Sequence, residues 1–191
     1  MRAVSFLISV CILLVCGSAV GPSSLLGQPA KPTPLILEKD EGERRVWRPI
    51  EGLEGEPSLF ILKVDPQNGG SSHLVFVTED LPVGGKVPTH CHPRSDEILF
   101  MQNGVAKVRL GDEVKDVHGG ATVFIPANTW VSVANTGKEA IHMVGIFSAP
   151  GFEKLMRAES VREGEKIIPV TKAEDAAILA EHTHAAIYKE P

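Results

Sequence analysis

The chain has 191 residues, of which 43% are hydrophobic and 23% are charged, and its formal net charge is −5. This length suffices for one domain with a hydrophobic core of its own. An acidic chain without basic runs is poorly suited to bind nucleic acid or an anionic membrane surface, so neither is expected as a partner.

The first 19 residues have the pattern of an export signal. Arg2 precedes an apolar stretch at 3–15, and Gly17 and Ala19 have the spacing that a signal peptidase prefers. We therefore predict cleavage after Ala19 and a secreted or periplasmic protein without membrane attachment. The alternative is a retained membrane anchor, although the apolar stretch is shorter than the ~20 residues that a spanning helix needs.

Two of the three cysteines, Cys11 and Cys16, lie in this predicted signal. A lipoprotein is disfavoured because the branched Val15 precedes Cys16, where lipoprotein processing requires a small residue. The processed chain would keep Cys91 alone, so it could form no internal disulfide and would depend on its core for stability. Loss of Arg2 with the signal would move the formal net charge from −5 to −6.

The rest of the chain is predicted to be a linker followed by one all-β domain. Residues 20–34 are rich in Pro, Gly and Ser and have no apolar period, which is typical of a flexible linker. From residue 58, short runs rich in Val, Ile and Phe alternate with Gly, Pro, Asn and Asp, the pattern of an antiparallel sandwich or barrel. The predicted strands are 58–64, 72–78, 86–92, 97–102, 105–110, 113–117, 122–125, 130–134 and 141–147.

Two helices are predicted after the last strand, in a carboxyl-terminal extension at 150–191. The first spans 150–159, with an apolar face and Ser148 near its start. The second spans 171–181, where Thr171 and Glu174 have capping-box spacing. Both are expected to pack outside the barrel of a single domain at 35–191.

The densest group of metal-capable residues is His90, His92 and Glu97. Residues two apart on a strand point to the same face, so His90 and His92 can aim at one point while Cys91 faces away. Glu97 follows at the start of the next predicted strand. Two imidazoles and one carboxylate suit iron, manganese, nickel, zinc or copper, and three ligands leave coordination positions open for a substrate.

The spacing around these residues resembles the first motif of the cupin superfamily. Gly84, His90, His92, Glu97 and Gly104 match its fixed positions, and residues 58–150 carry the resemblance as a whole. The resemblance implies an antiparallel jelly-roll barrel. The chain is similar to small single-domain bacterial cupins, some of which resemble quercetin dioxygenases. The resemblance also implies one divalent transition metal, held by His90, His92 and Glu97.

The second cupin motif is incomplete in this chain. Gly120, Pro126 and Asn135 are present, but Asn128 replaces a glycine and Val131 replaces the third metal-binding histidine. Valine cannot coordinate a metal. His142 is a candidate replacement, because a hairpin between the last two predicted strands would place it beside Val131.

Other histidines and apolar residues have less specific interpretations. His73 faces either the barrel interior or solvent, and His182 and His184 are expected in an exposed tail. Cys91 is expected to act as a small apolar residue rather than a catalytic thiol. The apolar residues expected to form core or line the mouth are Trp130, Phe100, Met101, Phe124, Val133 and Phe147.

The leading functional hypothesis is a metal-dependent, oxygenase-like enzyme that acts on a small organic molecule. One alternative is a non-catalytic barrel that binds a small molecule and has lost its metal, as Val131 would allow. Another is a cupin isomerase or epimerase, which would need a general base, with His73 and His142 as the candidates. Homodimerisation is expected by analogy, with residues 35–57 available for strand exchange.

Overall fold

The computed structural model of the protein describes residues 31–52 and 57–189. The predicted signal at 1–19 and most of the predicted linker at 20–34 lie outside the described residues. The described part contains twelve strands and two helices. The strands are β1 (Glu43–Trp47), β2 (Leu59–Val64), β3 (Val75–Leu81), β4 (Lys86–Cys91), β5 (Glu97–Met101), β6 (Val105–Leu110), β7 (Glu113–His118), β8 (Thr122–Ile125), β9 (Val131–Asn135), β10 (Ile141–Phe147), β11 (Ser160–Arg162) and β12 (Ile187–Tyr188). The helices are α1 (Phe152–Ala158) and α2 (Lys172–Glu181).

The strands form two antiparallel sheets that face each other. The seven-stranded sheet has the order β11-β1-β2-β3-β10-β5-β8, and the five-stranded sheet has the order β12-β4-β9-β6-β7. Strands that follow one another in sequence often lie in different sheets, as in a jelly roll. The predicted fold class, an antiparallel β-barrel with carboxyl-terminal helices, is confirmed.

The core forms because the inward residues of each strand alternate with outward ones. In β5 the residues Glu97, Leu99 and Met101 are buried, whereas Ile98 and Phe100 face out. One buried cluster lies around Met101, Ile125 and Ile141, and a second lies around Phe60, Val75 and Phe147. This two-residue period is what made most strands predictable from sequence.

The prediction that residues 35–57 are free for strand exchange with another subunit is wrong for their central part. β1 lies inside the seven-stranded sheet, paired with β2 on one side and β11 on the other. Both of its edges are therefore already hydrogen-bonded within the chain. The strands β1, β11 and β12 were not predicted. β11 and β12 have three and two residues, too few to show a period, and three of the five residues of β1 are charged.

β3 begins three residues later than predicted. The hydroxyl of Ser71 accepts hydrogen bonds from the backbone N–H groups of His73 and Leu74, at 3.4 and 3.2 Å. This local turn competes with strand pairing, so the strand begins only at Val75. His73 consequently lies before the strand, exposed to solvent.

The two helices lie close to their predicted positions. In α1, Leu155 and Met156 are fully buried, as the predicted apolar face requires. Ser148 does not cap this helix; its hydroxyl accepts a hydrogen bond from the N–H of Asp96 instead. In α2, the Thr171 hydroxyl accepts from the N–H of Glu174 at 3.1 Å, as the capping spacing predicted. Neither helix of the described part is both long and apolar enough to cross a membrane.

Candidate metal centre

His90, His92 and Glu97 come together from the two sheets. His90 lies near the end of β4, His92 follows that strand directly, and Glu97 begins β5 on the facing sheet. One ligand atom from each residue lies within 4.8 Å of the other two. The strand parity that predicted this cluster also places Cys91 on the other side of β4, opposite Ile187 of β12.

Each histidine is oriented by a backbone carbonyl. Nδ1 of His90 lies 2.8 Å from the carbonyl oxygen of Pro88, and Nδ1 of His92 lies 2.9 Å from that of Ala185. A carbonyl oxygen can only accept, so each Nδ1 carries the hydrogen. Each neutral imidazole therefore has its Nε2 lone pair available for a cation.

The two atoms that face each other in the cluster lack hydrogen-bond partners. Nε2 of His92 and Oε2 of Glu97 are both buried without a partner among the described residues, and they lie 3.4 Å apart. An unsatisfied buried polar group costs roughly 1–3 kcal/mol. A cation between the two atoms would satisfy both, so the residues present fit a divalent metal.

Burial favours the metal-competent protonation state of His90. Desolvation, together with the neighbouring His92, lowers the pKa of His90 below its ordinary value. The imidazole is therefore neutral at neutral pH and needs to lose no proton before it binds a metal.

Aromatic rings enclose the cluster. The ring centroid of His92 lies 4.6 Å from that of Phe152 and 5.0 Å from that of Phe147. Tyr188 stacks on His90 with the centroids 5.3 Å apart. His90, His92 and Glu97 are only 5%, 1% and 7% exposed, so bulk water is largely excluded.

Val131 occupies the position from which a fourth ligand would approach. It is the register partner of His90 across the β4–β9 pair and is 1% exposed. The described residues bring no replacement ligand to it. The predicted pairing of the His142 strand with the Val131 strand is wrong, because β9 and β10 lie in different sheets.

His142 lies on the outer face of the seven-stranded sheet. Its Nδ1 contacts a carboxylate oxygen of Asp80, and both residues line a surface groove of about 460 Å³. It does not reach the cluster. Of the tail histidines, His184 is exposed as expected, whereas His182 is half-buried and its Nδ1 bonds the carbonyl of Ile178 at 2.9 Å.

Sequence reasoning missed Tyr188, which stacks on His90, and the inward-facing Glu79. Glu79 has the same parity on β3 as the buried Val77 and Leu81, so the two-residue alternation could have placed it inside. Nothing in the sequence of the two-residue strand β12 indicated Tyr188. The prediction of core or mouth lining is right for Phe147, which is 2% exposed, and wrong for Phe124 and Phe100, which are 56% and 37% exposed.

Residues 77–147 match the sequence profile of the cupin domain family. This segment of the chain is a cupin domain. The matched segment begins in β3, ends at the last residue of β10 and includes every residue of the cluster. Within this cupin segment, His90, His92 and Glu97 have the spacing of the first cupin motif.

A solved structure with a TM-score above 0.5 agrees with the cupin fold. A predicted oxalate decarboxylase from Thermotoga maritima aligns with 61% of this chain and 100% of its own, with 16% identity and a TM-score of 0.53. An RmlC-like cupin from Shewanella frigidimarina aligns with 54% of this chain and 85% of its own, with 17% identity and a TM-score of 0.43. At this identity, the likeness to the Thermotoga maritima structure is evidence for the fold alone, and the TM-score of the Shewanella frigidimarina structure is too low to add to it.

A curated relative is the uncharacterized protein YrkC of Bacillus subtilis. It is 25% identical over 84 residues, which cover 41% of this chain and 45% of YrkC. This cupin therefore spans less than half the length of the curated relative that it matches.

Proposed function

We propose that this cupin is an exported, metal-dependent enzyme of the oxygenase-like kind, which binds a small oxygen-bearing organic molecule at His90, His92 and Glu97. The observation that carries the proposal is the pair of buried, unpartnered atoms, His92 Nε2 and Glu97 Oε2. A folded protein retains such a pair at a cost that a bound cation would offset. Iron, manganese, nickel, zinc and copper all suit this donor set.

The chain's own residues prepare the site for a metal. The carbonyls of Pro88 and Ala185 hold both imidazoles with Nε2 toward the centre. When bound, the metal would supply Lewis-acid activation of a substrate oxygen or, if redox-active, dioxygen chemistry. Phe147 and Phe152 exclude water from one side, which strengthens electrostatic interactions inside.

The first experiment measures the metal content of the purified protein beside a His90→Ala/His92→Ala double variant. A matched control is His73→Ala/His118→Ala, which removes two exposed imidazoles far from the cluster in sequence. We expect about one transition-metal ion per chain in the parent and the control, and almost none in the first variant. A parent that takes up no metal would contradict the proposal and favour a barrel that binds a small apolar or sugar-like ligand.

The reaction class is tested by dioxygen consumption with the loaded protein and a panel of enols, diols and small carboxylic acids. Oxalate belongs in this panel because the Thermotoga maritima structure is named as a predicted oxalate decarboxylase. Oxygen uptake that disappears in the double variant would support the oxygenase-like reaction. Conversion of a substrate under anaerobic conditions would instead support an isomerase or epimerase.

Export is tested separately by expressing the full chain in a bacterium with a periplasm. We expect the processed protein in the periplasm or medium, with Val20 as its first residue. Full-length protein retained in the membrane fraction would support the anchor instead.

A further inference from the structure

The outer face of the seven-stranded sheet carries an apolar row that the proposed metal site leaves unexplained. Register partners on five adjacent strands form this row: Phe124 of β8, Ile98 of β5, Ile146 of β10, Phe76 of β3 and Val64 of β2. Ile98 and Phe124 are 40% and 56% exposed. Large hydrophobic side chains thus meet water at one end of the row, and contiguous exposed residues of this kind mark an interaction surface.

The next row along the same strands is also uncharged. It contains Phe100, Val144 and Ile61, together with Thr122 and Thr78. The two rows, which we call the apolar face, therefore hold eight apolar side chains and two threonines.

The outer face of the five-stranded sheet is charged instead. Lys86 of β4 and both Lys107 and Arg109 of β6 are exposed there, and Lys107 forms an ion pair with Asp116 at 3.0 Å. Each sheet already buries its inner face in the core. The need for a core therefore does not explain why one outer face is apolar and the other is charged.

The segment 35–40 makes the apolar face higher at one end than at the other. Leu35 and Leu37 line the groove of about 460 Å³ beside Ile61, so the segment lies over β2. Ile36, between these two leucines, is 92% exposed. At the other end, β8 is the edge of the sheet and, within the described part of the chain, pairs with β5 alone. The face is thus raised at β2 and open at β8.

We propose that the apolar face binds the same face of a second copy of this chain. A two-fold axis parallel to the strands places the raised end of each copy against the open end of the other, so that Ile36 of one copy contacts Phe124 of the second copy. Because the face has no charged residue, the two copies meet no like charge at the centre of the contact. The two sheets would stack about 10 Å apart, as the sheets of a β-sandwich do.

The size of the apolar face fits the centre of a stable interface. Strand spacing and rise give it a width of roughly 24 Å across the strands and a length of roughly 13 Å along them. A specific interface buries about 800 Å² on each partner, with an apolar centre and a polar rim. The next outward row begins such a rim, since it holds the contacting pair His142 and Asp80.

This contact differs from the strand exchange that the sequence predicted for residues 35–57. It uses the face of the sheet, and β1 keeps both of its neighbouring strands within the chain. It also leaves the cover of the metal centre free, because β12 belongs to the other sheet. Dimerisation can therefore be tested independently of metal binding.

Sedimentation equilibrium of the purified protein from about 1 to 100 µM tests the contact. We expect the mass of two chains for the parent and of one chain for Ile98→Lys/Phe124→Lys, which places like charges on both sides of the contact. Both side chains are exposed in the single subunit, so the variant should keep the circular dichroism spectrum of the parent. The matched control is Val114→Lys, which changes a 45% exposed residue of β7 and should remain dimeric.

Three results would overturn the inference: a parent that is monomeric throughout this range, a dimer that persists in the double variant, or a dimer that is lost in Val114→Lys. Charge reversal then shows whether the face meets itself. Ile98→Glu/Phe124→Glu should be monomeric alone and should form a mixed dimer with the lysine variant. A mixture that stays monomeric would also overturn the pairing of like faces.

Ile36→Lys provides a second reading if the double variants do not fold. Since Ile36 is almost fully exposed, this change should leave the fold intact. It should raise the dissociation constant of the dimer by about 10-fold or more, because it puts a charge against the aromatic ring of Phe124 in the second copy. An unchanged dissociation constant would overturn the proposed arrangement.

Discussion

The carbonyl oxygen of Ala185 accepts a hydrogen bond from Nδ1 of His92 across a sequence separation of 93 residues. The same carboxyl-terminal segment continues as β12, where Tyr188 pairs with and stacks on His90. Lys189 then donates its N–H to the carbonyl of Thr89 at 2.9 Å. The orientation of both histidines therefore depends on the last residues that the structure describes.

Truncation of the chain after Thr183 should weaken metal binding. The deletion removes the carbonyl that orients His92, and the loss of such a partner commonly lowers metal affinity by about 10- to 100-fold. Affinity is measured by competition with a chromogenic chelator. Lys189→Ala, which keeps β12 and removes the side chain whose ammonium group lies over Trp130, should leave the affinity close to that of the parent. Equal affinities of the truncated and full chains would contradict the role of Ala185.

Val131→His should create a fourth ligand. Val131 lies beside His90, so a histidine there should tighten zinc binding by about 10-fold or more. Without metal, the buried imidazole should lower the free energy of unfolding by about 1–3 kcal/mol. The control is Val133→His, two residues along the same face of β9 and 3% exposed. Denaturant titrations should show that zinc restores the free energy of unfolding of Val131→His only. Restoration in both variants would argue against a specific site.

Glu159 should make stability depend on pH. Burial, with a contribution from Asp175, raises the pKa of Glu159 to about 7 from 4.5. Between these values the folded chain holds a proton that the unfolded chain has lost, so the free energy of unfolding falls as the pH rises through this window. The loss in the free energy of unfolding should be complete above about pH 8. Its size should be about 2 kcal/mol, because partial exposure of Glu159 reduces the full effect.

Glu159→Gln should remove most of this dependence. Denaturant titrations of the metal-free protein at about pH 5 and 8 should show a smaller difference for the variant than for the parent, chiefly because the variant is more stable at the higher pH. Glu165→Gln, an exposed glutamate that follows β11, is the control and should behave like the parent. An identical pH slope in parent and Glu159→Gln would refute the prediction.

Arg157→Met should strongly destabilise the fold. Arg157 Nη2 lies 2.6 Å from carboxylate oxygens of both Glu43 and Asp65, and Asp65 is fully buried. Removal of the cation leaves the buried Asp65 without its ion-pair partner and Glu43 with Arg45 alone, at a cost of about 3–5 kcal/mol in the free energy of unfolding. Arg44→Met breaks a more exposed pair with Glu163 and should cost about 0–1 kcal/mol. Equal losses in thermal or denaturant unfolding would contradict a special role for the buried network.

Much of the fold and of the cluster followed from local sequence. The strands from 97 to 147 are bounded by turn residues such as Asn103-Gly104, and their alternation fixes which side chains point inward. The His90–His92 pair follows from the same parity. Parity does not determine whether two strands share a sheet. For that reason His142 was predicted beside Val131, although its strand lies in the other sheet.

The contributions of short or distant segments could not be predicted. β12 has only two residues, and its pairing with β4 depends on the three-dimensional position of the chain end rather than on a periodic pattern. Glu79 was overlooked because a glutamate on a strand is ordinarily solvent-exposed, although its parity matched Val77 and Leu81. Polar residues at the inward positions of a strand pattern should therefore be considered as candidate site residues.

The pairing of β12 with β4 also has a kinetic consequence. Tyr188 and Phe152 cover a cluster that is nearly inaccessible, so we expect a ligand or ion to exchange when β12 separates from β4. A two-residue strand opens far more readily than the sandwich unfolds, so exchange would proceed through local opening while the barrel stays intact. The pairing of β12 with β4 would then influence the residence time at the centre as well as the affinity.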